Sequence, residues 1–222
     1  GIGRYISKKQ KIASDGYSLW QGVYEDKRVL LAQTGIGKSR AERAVRSISE
    51  SNPVTALVSF GFGGALIQEL AVGDVVLCNK VLCQNCWGAN LEVELYHADA
   101  YLFQRASEAL NELGIKWFQG TGVTVPKLVS QTEEKRKLGN QVRALVCEME
   151  DYWIAQVADR FQTPFLAVRV IYDEMQTTLP DFEWIVDMNG NLMLGRAIAY
   201  FLTHPRHMLS IPAFYRNSGR AK

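Results

Sequence analysis

The chain has 222 residues, and its 25 Lys and Arg side chains against 23 Asp and Glu give a formal net charge of +2. An apolar share of 47% with 22% charged residues is typical of a folded domain and excludes disordered, collagen-like and acidic-tail proteins. The balanced charge offers no broad basic face to a phosphate backbone, so we expect no nucleic-acid partner.

The sequence predicts neither a membrane anchor nor a metal site. Its longest charge-free apolar run, residues 54–67, is interrupted by glycines and too short to span a bilayer, and no apolar stretch follows the basic N-terminus. We therefore expect no transmembrane segment and a cytoplasmic protein. Cys83 and Cys86 lack a second ligand pair at zinc spacing, and four cysteines are too few for a disulfide scaffold. Most cysteines are thus expected to be reduced.

The first predicted strand covers residues 28–34, an aliphatic run that ends at a glycine turn, residues 35–37. Ala41, Val45 and Ile48 then recur at helical spacing and predict a helix. The residues that precede this strand receive no place in the predicted sheet.

Two more apolar runs predict strands over residues 54–60 and 74–82, the first of them ended by a glycine-rich stretch, residues 61–64. A helix is predicted over residues 98–113, and Gly114 stands where a C-terminal glycine cap is required.

Strands are predicted next over residues 117–125, 144–149 and 165–172, and the polar segment 131–138 receives no element. The helix before the last strand turns four apolar residues to one face: Ile154, Val157, Ala158 and Phe161. A final helix, expected to lie across the sheet, is predicted from an apolar stripe: Leu194, Ala197, Ile198, Phe201 and Leu202. A basic tail, residues 204–222, follows it.

Strands that are apolar almost throughout and alternate with helices indicate a largely parallel sheet covered on both faces, which is the α/β class. We find no linker and no repeat, so we predict one domain over residues 1–222. In such a sheet, ligands bind beyond the carboxyl ends of the strands. Four segments follow strand ends and are expected to face one crevice: residues 35–37, 61–64 and 148–150, and Asp173.

Neither glycine segment completes a nucleotide-binding fingerprint. Ala32 stands where a P-loop needs its first glycine, and Arg40 and Leu66 stand where the two dinucleotide fingerprints need their last. Kinases, GTPases and dehydrogenases are therefore not predicted. The glycine segments are either tight strand-to-helix turns or places where the backbone approaches a small ligand closely.

Carboxylates give the stronger signal. Glu148 and Glu150 are two residues apart at a strand end, so only one of them can face a pocket and the other is expected to be an ion-pair or hydrogen-bond partner. Asp173 ends a strand whose only charged residue is Arg169, so its carboxylate is either structurally paired or used. Burial and the neighbouring glutamates are expected to raise its pKa toward that of a general acid. The three histidines lie elsewhere, which disfavours a Ser-His-Asp hydrolase.

Three segments, in family order and spacing, resemble the nucleoside phosphorylase and nucleosidase superfamily: residues 29–41 (VLLAQTGIGKSRA), 58–74 (VSFGFGGALIQELAVGD) and 146–173 (VCEMEDYWIAQVADRFQTPFLAVRVIYD). They carry GIGK, G-x-x-G…VGD, EME and R-x-I-x-D signatures. The resemblance covers residues 27–173, and the C-terminal part looks most like the hopanoid-associated phosphorylase branch. It implies a nucleoside phosphorylase-like three-layer α/β/α sandwich around a central, mostly parallel but mixed sheet.

The resemblance also implies roles for particular residues. Glu150, the second glutamate of EME, is expected to bind the ribose hydroxyls. Met149 is expected to pack on the sugar, and Glu148 to support the site from the other side. Asp173 matches the aspartate that helps to protonate the purine at N7, which spares the base from leaving as an anion. The remaining substrate-binding candidates are Gly61, Phe62, Gly63, Leu128 and Val129. The last two fit a core role equally well.

The implied activity is cleavage of the N-glycosidic bond of an adenosyl-type purine nucleoside. A homo-oligomeric enzyme without a cofactor is expected, and phosphorolysis, with inorganic phosphate as co-substrate, stands beside hydrolysis. The chain departs from the family pattern in three places. The family's N-terminal strand is not found, and Ser59 and Phe62 stand where hexameric phosphorylases of the family carry an arginine and a serine for phosphate. Bulky residues at 151–153 also suggest an unusual pocket wall. The alternative is a non-catalytic nucleoside-binding or storage protein on the same fold.

Overall fold

The structure is a computed structural model and describes four stretches of the chain: residues 4–12, 14, 16–87 and 93–179. A three-stranded antiparallel sheet is formed by β1 (Ser7–Ile12), β2 (Ser18–Tyr24) and β3 (Lys27–Gln33). Glu25 and Asp26, both with positive φ (45° and 62°), connect β2 to β3 as a two-residue hairpin turn. The prediction that residues 28–34 belong to the main sheet is wrong, because this turn folds β3 back onto β2.

The second sheet is formed by six strands of the described residues: β4 (Leu57–Ala65), β5 (Val75–Trp87), β6 (Val93–His97), β7 (Trp117–Thr124), β8 (Val146–Glu148) and β9 (Phe165–Asp173). Their order is β6-β5-β7-β8-β4-β9, and β9 also pairs with β5, which closes the sheet on itself. The β4–β9, β5–β7 and β7–β8 pairs are parallel, whereas β4–β8, β5–β6 and β5–β9 are antiparallel. The predicted α/β class with a mixed central sheet is confirmed.

The described residues form four α-helices: α1 (Lys38–Ser51), α2 (Ala100–Glu112), α3 (Thr132–Val142) and α4 (Asp151–Arg160). Apolar side chains along β5 alternate between two core clusters. Val76 belongs to the cluster that contains α1 and α4 residues, and Leu77 to the one against which α2 packs. Helices therefore cover both faces of this strand.

The first two helices follow their sequence predictions. α1 buries Ala41, Val45 and Ile48, as their spacing predicts. After α2, Gly114 adopts a φ of 64°, and its N–H donates to the carbonyl of Asn111 at 3.0 Å. The predicted glycine stop is confirmed.

The other two helices differ from the predictions. α3 forms where no element was predicted, because Lys135 and Gly139 occupy its buried side beside Leu138 and leave no apolar stripe in the sequence. α4 lies in the predicted region but ends at Arg160, so Phe161 lies beyond its last turn and is 40% exposed. The prediction that Phe161 lies on the buried face is wrong.

β4 continues through the glycines that were predicted to end it. A Cβ atom at Gly61 would lie 1.9 Å from Nη1 of Arg169, and one at Gly63 would lie 2.4 Å from Cγ2 of Val146. The prediction of a strand-to-helix turn at residues 61–64 is wrong. These glycines instead make room for side chains of the two neighbouring strands.

The predicted helix at residues 194–202 and the basic tail lie outside the described residues.

Cys78 and Cys147 are free and buried, whereas Cys83 is disulfide-bonded. The expectation of mostly reduced cysteines did not include this disulfide. None of the helices described here is long and apolar enough to cross a membrane.

Candidate active site

Glu148, the last residue of β8, is buried and hydrogen-bonded to the protein through both carboxylate oxygens. Oε2 accepts hydrogen bonds from the backbone N–H groups of Glu150 and Asp151, each at 2.6 Å, and Oε1 accepts one from the Thr124 hydroxyl. These N–H groups begin α4, where a helix has unpaired donors and partial positive charge. Glu148 therefore fixes the start of α4.

Arg169 and Asp151 form a buried ion pair beside Glu148. Nε of Arg169 donates to Oδ2 of Asp151 at 2.7 Å, and its Nη2 donates to the other oxygen of Asp151 and to Oγ of Ser59 at 2.8 Å. Nη2 also lies 3.5 Å from Oε2 of Glu148. Burial acts to lower the pKa of Arg169, but the negative charges of Asp151 and Glu148 outweigh burial and raise it.

Two carboxylates share this one guanidinium, but burial is the main cause of the pKa shift of Glu148. Burial raises the pKa of Glu148 to about 8, and the negative charge of Asp151 adds to the rise. The charge of Arg169 and the hydrogen bond from Thr124 oppose it. The Glu148 carboxyl therefore titrates close to neutral pH.

Glu150 follows β8 and occupies the N-cap position of α4. Its Oε1 accepts a hydrogen bond from the backbone N–H of Gly37 at 2.7 Å, which ties it to the turn before α1. Burial raises the pKa of Glu150, and the Gly37 hydrogen bond and the charge of Arg169 oppose the rise. Gly37 has a φ of 88°, so the turn needs glycine in order to direct this N–H at Glu150.

Asp173, the last residue of β9, is 4% exposed. Its Oδ2 accepts a hydrogen bond from Nζ of Lys135, a side chain of α3 that is itself fully buried. Burial raises the pKa of Asp173, and the charge and hydrogen bond of Lys135 oppose this rise. The sequence correctly predicted the direction of the shift, but the charged neighbour is a lysine instead of the glutamates.

Gly64 of β4 brings the ends of β8 and β9 together. It pairs with Cys147 on one side and with Asp173 on the other, and a Cβ atom at Gly64 would lie 3.1 Å from Oδ2 of Asp173. β8 runs antiparallel and β9 parallel to β4, and because adjacent strands are about 4.8 Å apart, the residues of β8 and β9 that flank Gly64 lie roughly 10 Å from each other. A ligand of nucleoside size can bridge that separation.

The other predicted site residues divide between core and surface. Met149 and Val129 pack against a buried apolar cluster, and Leu128 is half-buried. Phe62 is 51% exposed, and its ring centroid lies 5.7 Å from that of Tyr172. The two predicted glycines of β4 contact neighbouring strands, as described above. Proximity to the strand ends is therefore clearest for the carboxylates.

The residues expected to form an unusual pocket wall are largely core. Asp151 and Tyr152 are 0% and 1% exposed, and the Tyr152 hydroxyl donates to Oε2 of Glu94 at 2.5 Å. Trp153 is half-buried, and Nζ of Lys38 lies 3.8 Å from a ring centroid of its indole. The prediction is wrong for Asp151 and Tyr152, because α4 turns both of them inward.

Two polar residues of the site, Thr124 and Lys135, were not predicted from the sequence, and Ser59 and Asp151 were named there without their contacts to Arg169. Arg169 carried the one usable signal, because an arginine in an otherwise apolar strand needs a buried acid as its partner. Nothing distinguishes Lys135 in the sequence from the other Lys and Glu residues around it. Within the described stretches, no group of three or more His, Cys, Asp or Glu side chains is arranged to hold a metal ion.

The chain is similar in sequence to one family of known proteins. A family model described as Phosphorylase superfamily matches residues 4–200. The 5'-methylthioadenosine/S-adenosylhomocysteine nucleosidase of Shewanella denitrificans is 28% identical over 188 residues, which cover 79% of this chain and 82% of that protein. Its namesake from Staphylococcus epidermidis is 27% identical over 180 residues, covering 77% and 79%.

A solved structure shows the same fold. The crystal structure of 5'-methylthioadenosine/S-adenosylhomocysteine nucleosidase from Neisseria meningitidis, in complex with methylthio-immucillin-A, superposes with a TM-score of 0.74. The alignment covers 79% of this chain and 80% of that one at 24% sequence identity. The predicted nucleoside phosphorylase-like architecture is therefore confirmed.

Proposed function

The chain belongs to the phosphorylase superfamily, and we propose from this premise that it cleaves the N-glycosidic bond of an adenosine-type nucleoside and releases the free purine. Relatives that match most of its length are named nucleosidases, which supports an enzyme of this class. The observation that carries the proposal is the pair of carboxylates Glu150, just after β8, and Asp173, the last residue of β9, because β8 and β9 pair with Gly64 on its two sides. Burial raises the pKa of both groups.

Glu150 binds the ribose in this proposal. A carboxylate accepts hydrogen bonds from both hydroxyls of a vicinal diol, and its charge stabilises the sugar as it becomes oxocarbenium-like. The Gly37 N–H holds one oxygen at 2.7 Å, so the carboxylate is oriented before a ligand binds. Glu148 supports it by accepting the backbone N–H of Glu150, and Met149 packs on the sugar.

Asp173 is the proposed general acid. It transfers its proton to N7 while the C1′–N9 bond breaks, so that the bonding electron pair leaves on a neutral base. A buried carboxyl with a raised pKa keeps this proton to higher pH than an exposed aspartate would. Phe62, Leu128 and Val129 are the proposed contacts on the base side of the site.

We propose water as the nucleophile. A phosphate site needs donors that are free to bind an anion, but Arg169 already donates to Asp151 and Ser59. Ser59 itself stands at a phosphate-type position and accepts from this arginine. No cofactor takes part in the proposed reaction, which consumes one nucleoside and one water and yields the purine and the free sugar.

The test is an assay for free adenine with the full chain. 5'-Methylthioadenosine, S-adenosylhomocysteine and adenosine are incubated with and without phosphate, and the products are separated by chromatography. We expect adenine and a free sugar from at least one of them, at a rate that phosphate does not change. Tight binding of a nucleoside without any release of adenine would instead support the non-catalytic alternative.

Four broader proposals remain: the single domain and the location rest on the sequence patterns, and the other two rest on the resemblance. They are a single domain over residues 1–222, a homo-oligomer, a cytoplasmic location and a role in hopanoid biosynthesis. The oligomer is the most accessible of them: sedimentation equilibrium is expected to give a mass that is a whole multiple of the chain mass, and a monomer at micromolar concentration would contradict it.

A further inference from the structure

Lys135 of α3 is a charged side chain with 0% exposure. A lysine is almost never buried unless it is paired, because its ammonium loses its hydration on burial. An ammonium carries three hydrogens, and Nζ of Lys135 donates to three acceptors: Oδ2 of Asp173, the carbonyl of Glu174 at 3.0 Å and the carbonyl of Thr177 at 2.7 Å. All its donors are therefore committed to the end of β9 and the residues that follow.

This arrangement constrains the Asp173 carboxyl on one side only. Oδ2 is held by Lys135, whereas Oδ1 has no hydrogen-bond partner among the described residues. Oδ1 would lie 3.3 Å from a Cβ atom at Gly64, and the glycine leaves that space open. The two carbonyl contacts also fix the chain after the strand, so the carboxyl cannot easily rotate away from this position.

We propose that Lys135 is the positioning residue for Asp173, holding Oδ2 so that Oδ1 meets N7 of the base and balancing the charge of the carboxylate once its proton has left. The inference rests on the proposed function. In the step, the O–H bond of Asp173 breaks and an N7–H bond forms, while the C1′–N9 electron pair passes to the base. Water adds to the sugar and its released proton returns to the carboxylate.

The charges around Asp173 support these separate roles for Asp173 as the acid and for Lys135 as its partner. Burial favours the protonated acid, and Lys135 favours the carboxylate that forms during the reaction. The Cys147 thiol, another titratable group near Asp173, is buried, and its pKa is raised to about 12 mainly by burial. The thiol is therefore neutral at working pH, so Lys135 is the charge that acts on the acid.

The test uses Lys135→Met, Asp173→Asn and the double variant, with Lys137→Met on the exposed side of the same helix as the matched control. Each is assayed on a purine nucleoside and on 4-nitrophenyl riboside, whose leaving group departs without protonation. We expect Lys135→Met to lower kcat/KM for the purine by about 100-fold and for the aryl riboside far less. The double variant should be no slower than Asp173→Asn, and Lys137→Met should match the parent.

Equal losses on both substrates, or losses that multiply in the double variant, would assign Lys135 a merely structural role and overturn the inference. If Lys135→Met does not give a native thermal transition, Lys135→Gln is measured in its place; because it can still donate a hydrogen bond and loses only the charge, we expect a smaller loss on the purine and again far less on the aryl riboside. A parent that cleaves purine nucleosides, with a Lys135 variant that shows full activity, refutes only this inference. A parent that cleaves neither substrate refutes the proposed function and the inference together.

Discussion

Glu150 has one carboxylate oxygen anchored by the Gly37 N–H, and this anchoring predicts the outcome of an isosteric change. Glu150→Gln can keep that hydrogen bond through its amide oxygen but loses the charge that faces the sugar. We expect a loss of about 2–4 kcal/mol of transition-state stabilisation, the range for removing a preorganised charged contact. The measurement is kcat/KM for a ribonucleoside and its 2′-deoxy analogue, and the parent's preference for the ribonucleoside should largely disappear in the variant.

The control for this change is Glu134→Gln on the exposed side of α3, which should leave both rates as they are in the parent. If Glu150→Gln discriminates between the two sugars as well as the parent does, Glu150 is not the ribose ligand.

Glu148 makes the stability of the protein depend on pH. Its pKa is about 8 in the folded protein against 4.5 for the unperturbed group, so the folded state holds the proton that the unfolded state releases. The resulting stabilisation is complete below about pH 4.5 and is lost as the pH rises toward 8. We expect the thermal midpoint of the parent to fall across this window, and that of Glu148→Gln to change less because the amide does not titrate.

The difference between the two midpoints reports on Glu148 together with the charges that act on it, those of Asp151, Arg169 and Glu150. A parent and variant with parallel pH profiles would show that Glu148 remains ionised in the folded protein. The ion pair with Arg169 would then outweigh burial at this site.

At the level of elements, the turn before α1 is predicted to act on Glu150 through its backbone. Gly37 has a φ of 88°, and no atom lies within 4 Å of a Cβ built there. Gly37→Ala therefore meets no steric clash, but its φ of 88° with a ψ of 171° is essentially restricted to glycine and gives backbone strain of about 1–3 kcal/mol. Relief of that strain turns the N–H away from Glu150, and we expect KM for a ribonucleoside to rise.

Gly16→Ala provides the matched control, because Gly16 also has a positive φ (76°) and an uncrowded Cβ position, 3.5 Å from Nη1 of Arg43. It should lower the thermal midpoint without a change in KM. If Gly37→Ala behaves in the same way as this control, the contact between Gly37 and Glu150 has no part in ligand binding.

Elements with a strong local sequence pattern were predictable, whereas elements that depend on contacts with residues distant in the sequence were not. Helical spacing gave α1, and an aliphatic run gave β9. The β2–β3 hairpin was missed because its Glu25-Asp26 turn lacks the usual Asn-Gly or Asp-Gly signal, and α3 because Lys135 occupies its buried side. β4 was cut short because glycines normally end strands, whereas here Gly61 accommodates the Arg169 side chain from the neighbouring strand.

In the candidate site, too, some residues could be predicted from the local sequence and others could not. Glu148, Glu150 and Asp173 could be selected because a charged residue at the end of an apolar strand is conspicuous. Their partners could not, because strand order and helix packing decide which donor reaches which carboxylate. The Lys135–Asp173 contact, between residues 38 positions apart, depends on the way α3 packs beside the end of β9.

At the scale of the whole molecule, sheet closure and strand order place the proposed chemistry. β8 and β9 flank β4, so Glu150 just after β8 and Asp173 at the end of β9 follow strands on either side of β4, although they are 23 residues apart in the sequence. The N-terminal three-stranded sheet leads through the Gly37 turn into α1, which packs in the same core cluster as α4. One carboxylate is thereby held at the sugar and the other at the base in the proposed reaction.

Hydrolysis by this chain is tested most directly by the fate of the oxygen atom from water. 5'-Methylthioadenosine is incubated with the full chain in water enriched in ¹⁸O, with phosphate present, and the products are identified by mass spectrometry after brief reaction. We predict free adenine and a sugar that carries ¹⁸O at its anomeric carbon, with no sugar phosphate, and almost none of either product from Asp173→Asn. A sugar 1-phosphate without ¹⁸O, or no adenine from the parent protein, would contradict hydrolysis.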